Sequence, residues 1–76
     1  MTKQEQLTIR AGRYEVECYK SDGYRFIQRY PEPNNSYSII LRHPRTLRQL
    51  TIVVQPRWGL LLIKEGMRIL KIKTFN

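Results

Sequence analysis

"VECYKSDGYRFIQRY", residues 16–30, sets four aromatic and three basic residues around a single Asp-Gly pair. An Asp-Gly flanked by alternating apolar residues is a strong local signal for a β-hairpin. On that reading residues 13–20 and 24–30 are paired strands, and the loop length sets which side chains meet. A two-residue Asp22-Gly23 loop places Val16 opposite Arg29 and forces a charge onto the apolar face. A three-residue Ser21-Asp22-Gly23 loop places Cys18 opposite Phe26, Val16 opposite Gln28, Tyr14 opposite Tyr30 and Glu15 opposite Arg29. The second register is self-consistent and makes Gly23 the positive-φ residue of a type I turn with a bulge. Tyr14, Val16, Cys18, Phe26 and Tyr30 then share a core-facing side, and Arg13, Arg25 and Arg29 lie opposite with Glu15 and Glu17. Of these aromatics, only Tyr19 shares the accessible face with the cations, as a stacking platform requires.

Outward from this stretch, turn signals recur at Ala11-Gly12, "PEPNN", His43-Pro44, "QPRWG" and Glu65-Gly66. The chain holds one alanine, whereas Ile, Val, Thr, Tyr and Phe are common, so strand formers outweigh helix formers. The expected architecture is all-β: a small antiparallel barrel or sandwich of about six to seven short strands joined by tight turns. Strands are expected near 6–10, 13–20, 24–30, 36–43, 47–55, 59–64 and 67–74. Residues 1–76 form one small β domain in which 1–5 and the last one or two residues fray.

"GYRFI", residues 23–27, resembles the core of the RNP1 motif of RRM and cold-shock domains. Asp22 and Arg25 depart from that motif, so the likeness carries no fold or function over. In the next hairpin an even-length loop, 44–47 or 44–45, puts Tyr37, Ile39, Leu41, Leu50, Ile52 and Val54 on one face. Residues 59–74, "GLLLIKEGMRILKIKT", are apolar on both faces, which predicts cover by a second layer or by a second copy.

A chain of 76 residues that is 41% hydrophobic and 26% charged is globular rather than disordered. Its net charge of +8, with nine Arg among fourteen cations, favours polyanionic partners. Cys18, alone, closes no intrachain disulfide, and the polar start "MTKQEQ" is no signal peptide, so a cytoplasmic protein is expected. The longest apolar run, "LLLI" at 60–63, is far too short to cross a membrane as a helix. Asn34-Asn35-Ser36 fits a glycosylation acceptor in form only.

Catalytic chemistry is poorly represented. One His and one Cys cannot build a Cys/His zinc site, and no glycine-rich phosphate loop precedes a helix. No metal and no cofactor is expected. Glu15 and Glu17 read as salt-bridged surface, Cys18 as a core side chain and His43 as a turn residue. A metal-independent ribonuclease using His43, Arg45 and a nearby Tyr is the least remote activity. Trp58, beside Arg57, is read either as a cap on the core or as an exposed stacking ring.

Charge placement is the sharpest clue. Residues 1–33 carry a net +1 and residues 34–76 a net +7. Connections in an antiparallel sheet alternate between its ends, so the turns at 21–23, 44–47 and 65–66 share one end. Lys20, Arg25, Arg42, Arg45, Arg48, Lys64 and Arg68 collect there against Asp22 and Glu65, a net +5. Arg57 and Trp58 belong to the other end, about 25 Å away. The expected function is non-catalytic nucleic-acid binding, RNA or DNA, with phosphates held by this rim and Tyr19 and Trp58 as candidate stacking residues. The alternative is a protein-interaction module, an inhibitor or assembly subunit, that docks on an acidic protein or dimerises through 59–74.

Overall fold

A computed structural model describes residues 1–75. The chain forms helix α1 (Lys3–Ser21) and strands β1 (Arg25–Pro31), β2 (Tyr37–Arg42), β3 (Gln49–Gln55), β4 (Leu60–Glu65) and β5 (Arg68–Thr74), with a 3-10 turn at Pro56–Trp58. The strands make one antiparallel sheet in the order β1-β2-β3-β4-β5. β1 pairs only with β2 and β5 only with β4, so the sheet is open and not a barrel. The antiparallel β character is as expected. The all-β class with six or seven strands is not, because residues 6–10 and 13–20 are helix.

Both ends of α1 are written in side chains. Thr2 is the N-cap: its hydroxyl accepts from the Glu5 amide at 3.1 Å, and the Thr2 amide donates to the Glu5 carboxylate at 3.0 Å. This reciprocal capping box satisfies two orphan donors of the first turn. Residues 2–5, expected to fray, form the N-cap and first turn of α1. At the other end the Tyr24 amide donates to the Tyr19 carbonyl and the Gly23 amide to the Lys20 carbonyl. That is a Schellman stop, and it needs a residue with positive φ after the cap, here Gly23 at 99°. The Tyr19 and Tyr24 rings meet edge to face at 5.5 Å, the apolar contact that accompanies such a stop. Gly23 thus has the positive φ expected of it, but it ends a helix instead of closing a hairpin. Cys18 lies on α1 and does not face Phe26, whose cross-strand partner is Leu41. Tyr14, placed in the core by the hairpin reading, is 65% exposed.

The period-2 reading of 13–20 fails because the inner stripe of the helix is small and polar. Thr8, Gly12 and Glu15 are buried, and Ala11, Val16 and Tyr19 pack against the core beside them. These positions follow the three-and-four spacing of one helix face. Thr8 satisfies its hydroxyl on the Gln4 carbonyl at 2.7 Å. At Gly12 the backbone comes so close to β3 that an added Cβ would lie 2.8 Å from a Val54 methyl.

Downstream the expected register holds. Leu41 pairs with Leu50, Ile39 with Ile52 and Tyr37 with Val54, which fits a turn at 44–47. Those residues face α1 together with Leu61 and Ile63, and Leu41, Ile52, Val54, Leu61 and Ile63 are fully buried. Each such side chain contributes about 2 kcal/mol on leaving water, so this helix–sheet layer holds the fold. Phe75, expected to fray, packs on the core and donates its amide to the Gly59 carbonyl at 2.7 Å. Asn76, also expected to fray, lies outside the described residues.

The edge strands carry their own protection. A bulge interrupts β1 between Phe26 and Gln28, and a second irregularity interrupts the β4–β5 ladder between Ile63 and Lys64. Irregular, Lys- or Pro-bearing edges resist pairing with another chain. Pro31 closes β1, and Lys71 and Lys73 occupy β5.

The close approach at Gly12 makes an unusual prediction. Gly12→Ala improves helix propensity by about 1 kcal/mol, yet it should destabilise the protein, because the stiff and fully buried Val54 cannot yield. Urea denaturation should show a net loss of about 1 kcal/mol or more, and the same Gly12→Ala change should cost less when made in a Val54→Ala background, itself destabilised by the cavity.

Candidate functional site

The meander brings the expected basic residues to one end of the sheet. Lys20 lies in the last turn of α1, Arg25 opens β1 and Arg42 closes β2. Arg45 and Arg48 belong to the β2–β3 turn, Lys64 lies near the end of β4, and Arg68 opens β5. Arg25 and Arg42 are direct cross-strand partners. Like charges so placed repel and destabilise the ladder unless an anion lies between them.

The seven cations are not equivalent. Arg48 forms a two-pronged pair with Glu65, Nε to Oε2 at 2.8 Å and Nη2 to Oε1 at 3.0 Å. The Arg48 guanidinium holds the Glu65 carboxyl below the usual carboxylate range. Lys20 lies 3.7 Å from Glu17, one helical turn back. Arg42 is oriented by the Gln49 side-chain oxygen, which accepts from Nε at 3.3 Å and Nη2 at 2.8 Å. Among the described residues Arg25, Arg42, Arg45, Lys64 and Arg68 have no carboxylate within ion-pair distance.

Two apolar residues stand at the turn tips of this end. Leu47, between Arg45 and Arg48, is 70% exposed and holds a φ of 63°. Met67, between Lys64 and Arg68, is fully exposed. Neither stood out in the sequence, because an isolated apolar residue in a turn has no periodicity to mark it.

His43 organises the β2–β3 turn. Its Nδ1 accepts from the Arg45 and Thr46 amides, each at 3.2 Å, and its ring meets Tyr24 edge to face at 5.2 Å. A Cβ at Gly23 would lie 2.8 Å from His43 Nε2, so the ring also rests on the helix stop. The histidine thereby links the end of α1 to the turn that carries Arg45 and Arg48.

The other candidates disperse. Tyr19 turns inward against the core instead of joining the cations. Trp58 is 54% exposed at the opposite end, with the Arg57 guanidinium 5.6 Å from its ring centre. Glu15 and Glu17, expected side by side on a strand, diverge on the helix. Glu15 is 4% exposed and pairs with Lys71 at 3.2 Å and Lys73 at 3.4 Å, while Glu17 stays at the surface. Glu15 therefore does not offset Arg13 or Arg29, nor does it sit opposite Arg29. Among the described residues no cluster of His, Cys, Asp or Glu is arranged to hold a metal ion. No described helix is long and apolar enough to cross a membrane.

No protein-family model, curated protein or solved structure matches this chain.

The Arg48–Glu65 pair sets a pH dependence. A carboxyl lowered in the folded state adds stability above its unfolded pKa, and that stability is lost as pH falls through the folded one. The Glu5 carboxyl, lowered by its capping hydrogen bonds to Thr2, acts in the same direction. Urea midpoints should hold steady from neutrality to about pH 5 and fall below it. Glu65→Gln should flatten part of that fall.

Proposed function

We propose that the protein is a non-catalytic nucleic-acid-binding protein that grips phosphates through the basic end of its sheet. The facing pair Arg25 and Arg42, with no carboxylate partner among the described residues, carries this reading most directly. A cross-strand arginine pair is costly alone and becomes favourable around a shared anion. Arg45, Lys64 and Arg68 extend the positive field on either side, and Gln49 presets the Arg42 fork. Leu47 and Met67 protrude between these cations, where apolar tips can press against bases or sugars once phosphates are held. Phosphate contacts of this kind give affinity with little sequence readout.

Fluorescence anisotropy with a labelled 12-nucleotide strand and the matching duplex tests the reading. With about five phosphates engaged, log K against log salt should have a slope near −4, so affinity should fall about a hundredfold or more between 50 and 200 mM salt. Arg25→Glu with Arg42→Glu should abolish binding to both probes and leave the circular dichroism spectrum unchanged. Arg57→Glu, at the far end, should have little effect. Glu65→Gln should tighten binding, because it releases the charge of Arg48. No binding by the wild type at 20 mM salt, or equal losses from Arg57→Glu and the arginine pair, would remove the proposal. Binding to anionic vesicles but not to nucleic acid would remove it too.

The outer face of the sheet favours a second reading, docking on an acidic protein or on a second copy through residues 59–74. Val53 pairs with Leu62 and Leu62 with Ile72, which makes an apolar row across three strands on the face away from α1. Ile69 and Ile72 are more than half exposed. Self-association predicts a mass above 9.2 kDa in sedimentation equilibrium at high concentration, returning to monomer with Leu62→Lys. A monomer at every concentration removes self-association.

A further inference from the structure

A groove opens at the other end of β1, remote from the basic rim. Helix α1 lies over β3 and β4, so the inner side of β1 is left without a helix above it. The space between α1 and the β1–β2 hairpin has a volume of about 510 Å³. That lies within the range of small-molecule sites and well above what a bare ion fills.

Its walls combine two kinds of surface. Ile9 and Ile39 supply apolar contact, while Arg13 from the helix and Arg29 from β1 supply charge. Neither arginine has a carboxylate within ion-pair distance among the described residues. The Arg29 guanidinium lies 4.4 Å from the centre of the Tyr37 ring, which fixes its plane and leaves its edge free to donate. Glu32 also borders the groove, but its carboxylate already accepts from the Ser38 hydroxyl.

An orphaned group is the second, independent observation. Ser36 lines the groove and is 6% exposed, and its hydroxyl is buried with no hydrogen-bond partner. A buried hydroxyl left unpaired costs stability, and native structures rarely keep one without a use. Two unpaired arginine forks and one unpaired hydroxyl supply donors around the same space, and the Asn35 amide and Tyr37 hydroxyl that also line it can donate as well. That donor set fits the terminal oxygens of a phosphate.

We propose that this groove binds a small phosphomonoester, with Arg13 and Arg29 on the phosphate, the Ser36 hydroxyl as a further donor, and the organic part against Ile9 and Ile39. The site is separate from the basic rim and does not rest on the nucleic-acid reading.

Titration of the 15N-labelled protein with adenosine 5′-monophosphate, inorganic phosphate and adenosine, read by amide chemical shifts, tests it. The monophosphate should move the Arg13, Arg29 and Ser36 resonances saturably and bind at least tenfold tighter than either adenosine or inorganic phosphate. Arg13→Gln with Arg29→Gln should weaken it at least tenfold. Ser36→Ala separates a binding role from a structural one. Removing an unpaired hydroxyl should leave the thermal midpoint of the free protein equal or higher, while monophosphate affinity falls about fivefold, the worth of one hydrogen bond. Adenosine binding as tightly as the monophosphate would overturn the proposal. So would unmoved groove resonances at 10 mM ligand, wild-type affinity in the arginine double variant, or a Ser36→Ala protein with unchanged affinity. Inorganic phosphate binding as tightly as the monophosphate would overturn the phosphoester assignment.

Discussion

One helix covers one face of one sheet, and the contact is close because Gly12 has no side chain. A Cβ there would lie 2.8 Å from a Val54 methyl, and Val54 is fully buried near the end of β3, the central strand of the sheet. With only 76 residues, apolar burial is scarce and each lost contact is a large share of the total stability. The small stripe Thr8, Ala11 and Gly12 lets α1 settle closely onto the sheet at Val54. Val16 and Tyr19, farther along the helix, add its own apolar bulk to the core.

That geometry decides where charge can go. Seating the helix this deeply carries Glu15 inward, where a lone carboxylate would be costly, and Lys71 and Lys73 of β5 meet it. The lysines are themselves half exposed, so the arrangement tethers the edge strand to the helix without burying three charges. The same pairing removes the carboxylate that would have offset Arg13 and Arg29, and it leaves those arginines facing a groove. At the opposite end of β1, the helix stop at Gly23 sets Tyr24 against His43, and His43 in turn holds the turn that bears Arg45 and Arg48. Structural contacts thus divide the fourteen cations into tied and untied sets. Of the untied ones, five gather at the rim and two at the groove.

The two faces of the sheet differ in kind. The inner face is filled by the helix, whereas the outer one keeps Val53, Leu62 and Ile72 in a row with no covering element among the described residues. An antiparallel sheet with one solvated face usually alternates cleanly between apolar and polar. β4 breaks that rule with Leu60 to Ile63 in succession, and the consequence is an apolar surface beside a basic rim.

The sequence by itself determined what depends on period 2 and on turn parity downstream of β1. The three downstream hairpins, the pairing of Leu41 with Leu50, the positive φ of Gly23 and the gathering of seven cations at one end all follow from alternation and loop length. What it did not determine was the state of residues 3–21. There "RYEVECY" alternates as a strand does, and the helical stripe is made of Thr, Ala, Gly and Glu, which carry almost no hydrophobic signal. Thr2 and Glu5 at capping-box spacing were the legible local sign of a helix. Asp22-Gly23 serves a hairpin turn and a helix stop equally well, since both need one residue with positive φ. Tertiary structure decided between them: as a helix, residues 3–21 pack on the apolar inner face of the five-stranded sheet. That choice also settled the partner of Glu15, the inward turn of Tyr19 and the groove at Arg13 and Arg29, none of which exists until the helix is laid on the sheet.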